Sequence, residues 1–260
     1  MDELKDSKAL SQKRFTRFAS RYVTSGTHAQ GPELERLVEI VSPQPDWVVL
    51  DVATGGGHTA LRFAPLVKRV VAMDISPAML DAAEAFIIAK GVKNVSFRLG
   101  DAENLPFSDE SFDLVTCRIA PHHFPDAFRF VMESVRVLKP GGMLLVQDHA
   151  LPEDDAAARY IDAFERLRDP SHNRAFSESE WVRMLQDAGL AVEHTEKIVK
   201  RHEFRPWSER QACTPQVVAQ LVQMVENAPE AVIEWMQPID FGTPGAWFVN
   251  HHILIAGRLD

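Results

Sequence analysis

An apolar run, Val48-Val49-Leu50-Asp51-Val52, ends against the loop Ala53-Thr54-Gly55-Gly56-Gly57, and a helix-like segment from Thr59 to Leu66 comes next. A short buried strand, an acid and a glycine-rich turn in that order point to an α/β unit, in which the turn feeds a helix back across a sheet. Glycine supplies positive φ and lets a ligand approach the backbone closely. The loop also presents backbone N–H groups at a helix N-terminus, which suits a nucleotide-like molecule. Alone, Gly55-x-Gly57-x-x-Ala60 also fits the dinucleotide fingerprint, so an NAD(P)-dependent oxidoreductase stays open at this point.

The blocks downstream of the loop narrow the choice. The segment Arg69-Val70-Val71-Ala72-Met73-Asp74-Ile75-Ser76-Pro77 reads as a second strand ending in an acid. Asp74 stands about twenty residues past the loop, where a carboxylate can accept from ribose hydroxyls. A third strand, Val95–Leu99, runs into Gly100-Asp101-Ala102-Glu103-Asn104-Leu105-Pro106-Phe107. A fourth, Phe112–Cys117, leads into Arg118-Ile119-Ala120-Pro121-His122-His123-Phe124. A helix over Phe128–Leu138 stops at Lys139-Pro140-Gly141-Gly142, and Met143–Val146 makes a fifth strand. Strands alternating with helices predict a parallel sheet covered on both faces.

These five blocks together resemble the class I S-adenosylmethionine (SAM) dependent methyltransferases, with the nearest likeness to the ubiquinone/menaquinone-biosynthesis C-methyltransferase group. The likeness is firm over 46–150. It continues more loosely through Arg168-Asp169-Pro170-Ser171-His172 and Ser177-Glu178-Ser179-Glu180-Trp181. The Gly100–Phe107 block with Leu138-Lys139-Pro140-Gly141-Gly142 is far more specific than the glycine loop, and it disfavours the oxidoreductase reading. One departure is Ala53, where the family usually has a glycine. The resemblance implies a Rossmann-like, mostly parallel seven-stranded sheet with helices on both faces and an antiparallel last strand, SAM as cofactor, and a small-molecule methyl acceptor. A SAM-binding protein without catalysis is a third reading.

The rest of the chain reads as parts of the same single domain. Residues 8–22 form an amphipathic helix with Leu10, Phe15, Phe18 and Tyr22 on one face, and Pro32 opens a second helix, Glu33–Val41. Residues 1–43 are thus a helical lid, and 46–150 the SAM-binding core. Residues 151–205 complete the sheet with a helix near Ala156–Leu167, a capping box at Ser177 and Glu180, and a strand over Ala191–Val199. A helical pair over Pro206–Trp235 forms a second lid within 206–240, and the last strand, Ala246–Ile255, falls in 246–260. With a formal net charge of −9, no basic block meets nucleic acid. No apolar run approaches the roughly 20 residues of a membrane span. The first residues lack a signal-peptide core, and Cys117 and Cys213 have no metal or redox spacing, so the expected location is cytoplasmic.

The same blocks supply the candidate site residues. Asp51 is expected to anchor the loop Ala53-Thr54-Gly55, with Gly57, around the cofactor, and Asp74 with Ile75 to meet the ribose. The resemblance assigns Asp101 and Ala102 to adenine. Arg118 faces either the methionine part of SAM or a surface acid. Tyr22 and His28 come from the N-terminal lid and either touch SAM or pack. His123 and His122 border the transferred methyl; each is a general base or a wall of the pocket. Asp148 and His149, past the fifth strand, are further acceptor-side candidates. His251 and His252 are adjacent on a strand and point to opposite faces, so no metal site is expected from them. Trp181 and most other aromatic residues read as core, whereas Trp207 and Phe241 read as lid elements.

Overall fold

The computed structural model of the chain describes residues 8–14, residue 16 and residues 32–260. Residues 8–14 and residue 16 are helical; the other residues of the helix expected over 8–22, Tyr22 among them, lie outside the described residues, as does His28. From residue 32 the elements are α1 (Pro32–Val41), β1 (Val48–Val52), α2 (His58–Phe63), β2 (Arg69–Asp74), α3 (Pro77–Ala89), β3 (Val95–Leu99) and β4 (Phe112–Arg118). Then come α4 (Ala127–Val137), β5 (Leu138–Leu151), α5 (Asp155–Arg168), β6 (Phe176–Ser177), α6 (Glu178–Asp187) and β7 (Leu190–Glu203). Three helices, α7 (Phe204–Arg210), α8 (Pro215–Glu226) and α9 (Glu230–Met236), precede β8 (Trp247–Leu259).

The sheet order is β3-β2-β1-β4-β5-β8-β7. The first five strands pair in parallel, and β8 runs antiparallel to both β5 and β7. The reversed last strand agrees with what the resemblance implies. The sheet has eight strands rather than seven, because β6 pairs off this path with the end of β5 through Ala150↔Phe176 and Leu151↔Ser177. That pairing is possible because β5 continues past Val146, held by β8 through Gln147↔Leu254, Asp148↔Ile253 and His149↔His252. Ser177 still caps α6, and the capping box with Glu180 is present.

Alternation along the strands splits the core into two layers. Leu50, Val52 and Val115 pack with Phe130 and Trp181 on one face. Val49, Val70 and Leu145 pack with Leu37 and Phe63 on the other. A third cluster joins α5 to α7, α8, α9 and the start of β8. The expected helical pair is therefore three helices with a core of their own. Trp207, expected as a lid element, is 2% exposed and stacks on Phe164 at 5.3 Å. Its indole is large enough that sealing this third core outweighs covering the cleft.

The Lys139-Pro140-Gly141-Gly142 block begins β5 instead of preceding it. Gly141 takes a φ of 76° in open space, whereas a Cβ on Gly142 would stand 2.8 Å from the Lys139 carbonyl and 3.2 Å from that of Asp113. Backbone cannot give way as a side-chain tip can. Gly142→Ala is expected to cost about 1–3 kcal/mol in urea unfolding. An unchanged midpoint would show that the strand end tolerates the shift.

Candidate active site

Parallel strands bring their C-terminal ends to one edge, and the order reverses between β1 and β4, which opens a crevice there. Asp51, Ala53, Thr54, Gly55, Asp74, Ile75, Asp101, Ala102, Arg118 and His123 all line one cleft at that edge. Residues from separate stretches of chain thus meet where the sequence spacing placed them.

Asp51 holds the loop together from below. Its Oδ2 accepts from Thr54 Oγ1 at 2.6 Å and from the Ala60 N–H at 3.2 Å, and Oδ1 accepts from Thr116 Oγ1 at 2.9 Å. Burial pushes its carboxyl up to about 6, against the pull of the Thr54 and Thr116 hydroxyls. Asp74 does the same from the side. Its Oδ2 accepts from the Gly55 N–H at 3.0 Å and Oδ1 from the Ser76 N–H at 2.9 Å, and burial raises its pKa. A carboxylate has about four lone-pair sites, so acceptor capacity remains toward the cleft.

Ala53 has φ 54°, which explains why glycine is usual in the family at this position: the left-handed region strains any residue with a Cβ. Gly55 has φ 55°, and an added Cβ would only come into ordinary contact with Met79 at 3.7 Å, so the backbone conformation and not space calls for glycine. Gly57 differs from expectation. It does not line the cleft; a Cβ there would meet Ile87 at 2.9 Å and Ala83 at 3.2 Å, so its role is to let α3 pack against the start of α2.

In the turn after β3, Asp101 Oδ2 pairs with Lys8 Nζ at 2.7 Å, and Lys8 also pairs with Glu103 at 2.5 Å. The Arg118 guanidinium turns inward instead of reaching a surface acid. Its Nε donates to Thr59 Oγ1 at 3.1 Å, and burial lowers its pKa against the opposing charges of Asp51 and Glu33.

The two histidines part company. The turn Pro121–His123 buries both rings. His123 lines the cleft, and its Nδ1 lies 2.9 Å from the Ser171 carbonyl oxygen. His122 does not line it. Its Nδ1 is 2.6 Å from Asp148 Oδ1, and its N–H donates to Asp148 Oδ2 at 2.7 Å. Burial pushes Asp148 up to about 7 and holds His122 well below its ordinary value. His122 is therefore removed as a group facing an acceptor. Asp148 and His149 lie within β5 and not past it, and neither lines the cleft. His149 stacks on His122 at 4.5 Å and meets His252 edge-on at 4.7 Å, while His251 stacks on Trp235. Among the described residues no cluster is arranged to hold a metal.

Several lining residues escaped the sequence reading. Lys8 and Ser11 come from the N-terminal helix, Met79 from α3 and Glu103 from the turn after β3. Ser11 Oγ is buried without a hydrogen-bond partner among the described residues, and Gln12 Nε2 donates to the Ile75 carbonyl at 3.0 Å. Their only signal was amphipathic spacing, which predicts a buried face without saying what it covers. An unpaired hydroxyl, acids with spare acceptor capacity and an uncovered glycine loop fit a polar ligand carrying ribose and a base.

A methyltransferase domain model matches residues 50–146. An uncharacterized methyltransferase of Bacillus subtilis, YcgJ, is 37% identical over 216 residues, covering 83% of this chain and 85% of that protein. The crystal structure of a candidate methyltransferase from Bacillus halodurans superposes with a TM-score of 0.84 at 40% identity, over 88% of this chain and 99% of that one. The ubiquinone/menaquinone biosynthesis C-methyltransferase of Pseudomonas aeruginosa is 38% identical over 120 residues, less than half of either chain. These matches answer the question that Gly55-x-Gly57 left open: the oxidoreductase reading falls away, and SAM is the cofactor of this fold and family.

Proposed function

Because this chain belongs to the class I SAM-dependent methyltransferases, we propose that it methylates a small molecule with an apolar ring, quinone-like or similar, that enters beside His123. One observation carries this reading: the same cleft is lined by the acids Asp74 and Asp101 and by His123, Phe124 and Pro125. Asp74 would take the ribose hydroxyls, Asp101 and the Ala102 N–H the adenine, and Arg118 the methionine carboxylate. Lys8, now on Asp101, then has to share or yield that carboxylate.

When bound, SAM supplies a methyl group already activated on a sulfonium. The chain therefore has to bind, orient and exclude water, holding a nucleophile about 3–3.5 Å from the methyl carbon. Phe124 and Pro125 give an apolar wall, and His123 a nitrogen that can take a proton if the acceptor must lose one. Among the described residues no helix is long and apolar enough to cross a membrane.

The test is transfer of a tritiated methyl from SAM onto a bacterial small-molecule extract, with the product fractionated and identified by mass spectrometry. Label in an apolar, ring-bearing product is the expected result. Label confined to water-soluble amines or to protein would overturn the acceptor class. SAM binding without any transfer would support the non-catalytic alternative.

A further inference from the structure

The segment Arg168-Asp169-Pro170-Ser171-His172 does not line the cleft, yet it is packed against His123. Asp169 is 4% exposed and Ser171 2%. Asp169 Oδ1 accepts from the Ser171 N–H at 2.9 Å and from Ser171 Oγ at 2.6 Å, and its own carbonyl accepts from the His172 N–H at 2.8 Å. One carboxylate thus folds the segment into a tight turn. That turn aims the Ser171 carbonyl at His123 Nδ1, 2.9 Å away. A carbonyl oxygen only accepts, so Nδ1 carries the hydrogen and Nε2 the lone pair. From the other side Arg14, in the helical stretch 8–14, places Nε 2.9 Å from the same Asp169 Oδ1. Its Nη2 donates to Gln211 Oε1 at 2.7 Å and to the Gln211 carbonyl at 3.2 Å.

We propose that Asp169 is a positioning residue for His123, acting through Ser171, and that Arg14 holds it from the N-terminal helix. The proposal deepens the methyltransferase reading above and rests on it for its purpose. Asp169 does two things at a distance. It fixes the tautomer that leaves Nε2 as the basic nitrogen, and its charge favours the imidazolium formed when Nε2 takes a proton from the acceptor. The proton then sits on Nε2 with Nδ1–H still held by the Ser171 carbonyl, and it leaves to solvent after transfer.

The groups facing His123 set the signs. Burial and His172 disfavour its charged form, whereas Asp169, the Ser171 carbonyl and Asp148 favour it. The His122 ring lies 4.1 Å away, and burial holds its pKa well below the ordinary value. Arg14 stands behind Asp169 and offsets part of that carboxylate's charge. Removing the Asp169 charge therefore makes His123 less basic, and removing the Arg14 charge makes it more basic. A purely structural turn has no reason to give opposite signs.

The experiment is NMR titration of the full chain labelled with ¹⁵N-histidine, with His123→Gln assigning the signal. In the wild type the proton is expected on Nδ1. Asp169→Asn should demand roughly tenfold more acid to protonate His123 and should mix the two tautomers. Arg14→Gln should reduce the acid required by roughly two- to threefold. Unchanged titration and tautomer in Asp169→Asn, or a shift of the same sign in both variants, would overturn the proposal. If Asp169→Asn fails to fold, Arg14→Gln still decides: no shift there sinks it. Calorimetric titration of the same samples with S-adenosylhomocysteine tests the methyltransferase reading separately, since failure to bind the wild type counts against that reading and not against the coupling.

Discussion

Asp74→Ala is expected to weaken binding of SAM and of its demethylated product by about 1.5–3 kcal/mol, roughly ten- to hundredfold in Kd. The loss has two sources. The ribose loses a charged acceptor, and the Gly55 and Ser76 N–H groups lose the carboxylate that now holds them at 3.0 and 2.9 Å. The second source means that the loop itself loosens, so a modest fall in stability should accompany the fall in affinity. Calorimetry on both proteins checks the first effect, and equal affinities would remove Asp74 from the site.

The second large effect is on acid stability. His149 and His252 lie against each other in β5 and β8, and burial holds both well below the ordinary 6.5. For a histidine whose folded pKa is depressed, the unfolded chain binds the proton more readily, so stability is lost as pH falls below about 6.5. Each such group contributes about 1.4 kcal/mol per pH unit in that window. The buried acids Asp51 and Asp148 work in the opposite direction, being held at about 6 and about 7, so total stability mixes signs. A single substitution isolates one contribution. His252 Nδ1 has no hydrogen-bond partner among the described residues, so His252→Leu breaks no bond at that atom. It should leave stability near pH 7 within about 1 kcal/mol and gain about 2 kcal/mol over the wild type by pH 5. Urea unfolding across that range measures the slope. Parallel curves for the two proteins would show that His252 already takes up its proton in the folded state.

How much of the site is legible in the sequence depends on how far apart the cooperating residues lie. Asp51, Gly55, Asp74 and Asp101 each stand at the end of a strand, and the parallel order carries those ends to one edge. Local spacing therefore anticipated that these acids and glycines would meet in one cleft. His122 and His123 were harder. They are neighbours in one turn, and only the partners Asp148 and Ser171, from distant segments, separate a buried ring from one that lines the cleft. The pairs Lys8–Asp101 and Arg14–Asp169 are tertiary contacts across most of the domain, with no local pattern to announce them. Strand β6 is two residues long, below what periodicity resolves, and its Ser177 already carried a complete helix-cap signal.

On the proposed function, one cleft holds SAM with its adenosine against Asp74 and Asp101 and its reacting end toward His123. A crystal structure of the chain with S-adenosylhomocysteine tests this arrangement. The ribose hydroxyls should stand within hydrogen-bond distance of the Asp74 carboxylate, about 2.5–2.8 Å. The adenine amine should reach Asp101, with Lys8 displaced or sharing it, and the sulfur should face His123. A ligand whose sulfur points away from His123, or whose adenine lies elsewhere while the Lys8–Asp101 pair stays intact, would rule this arrangement out.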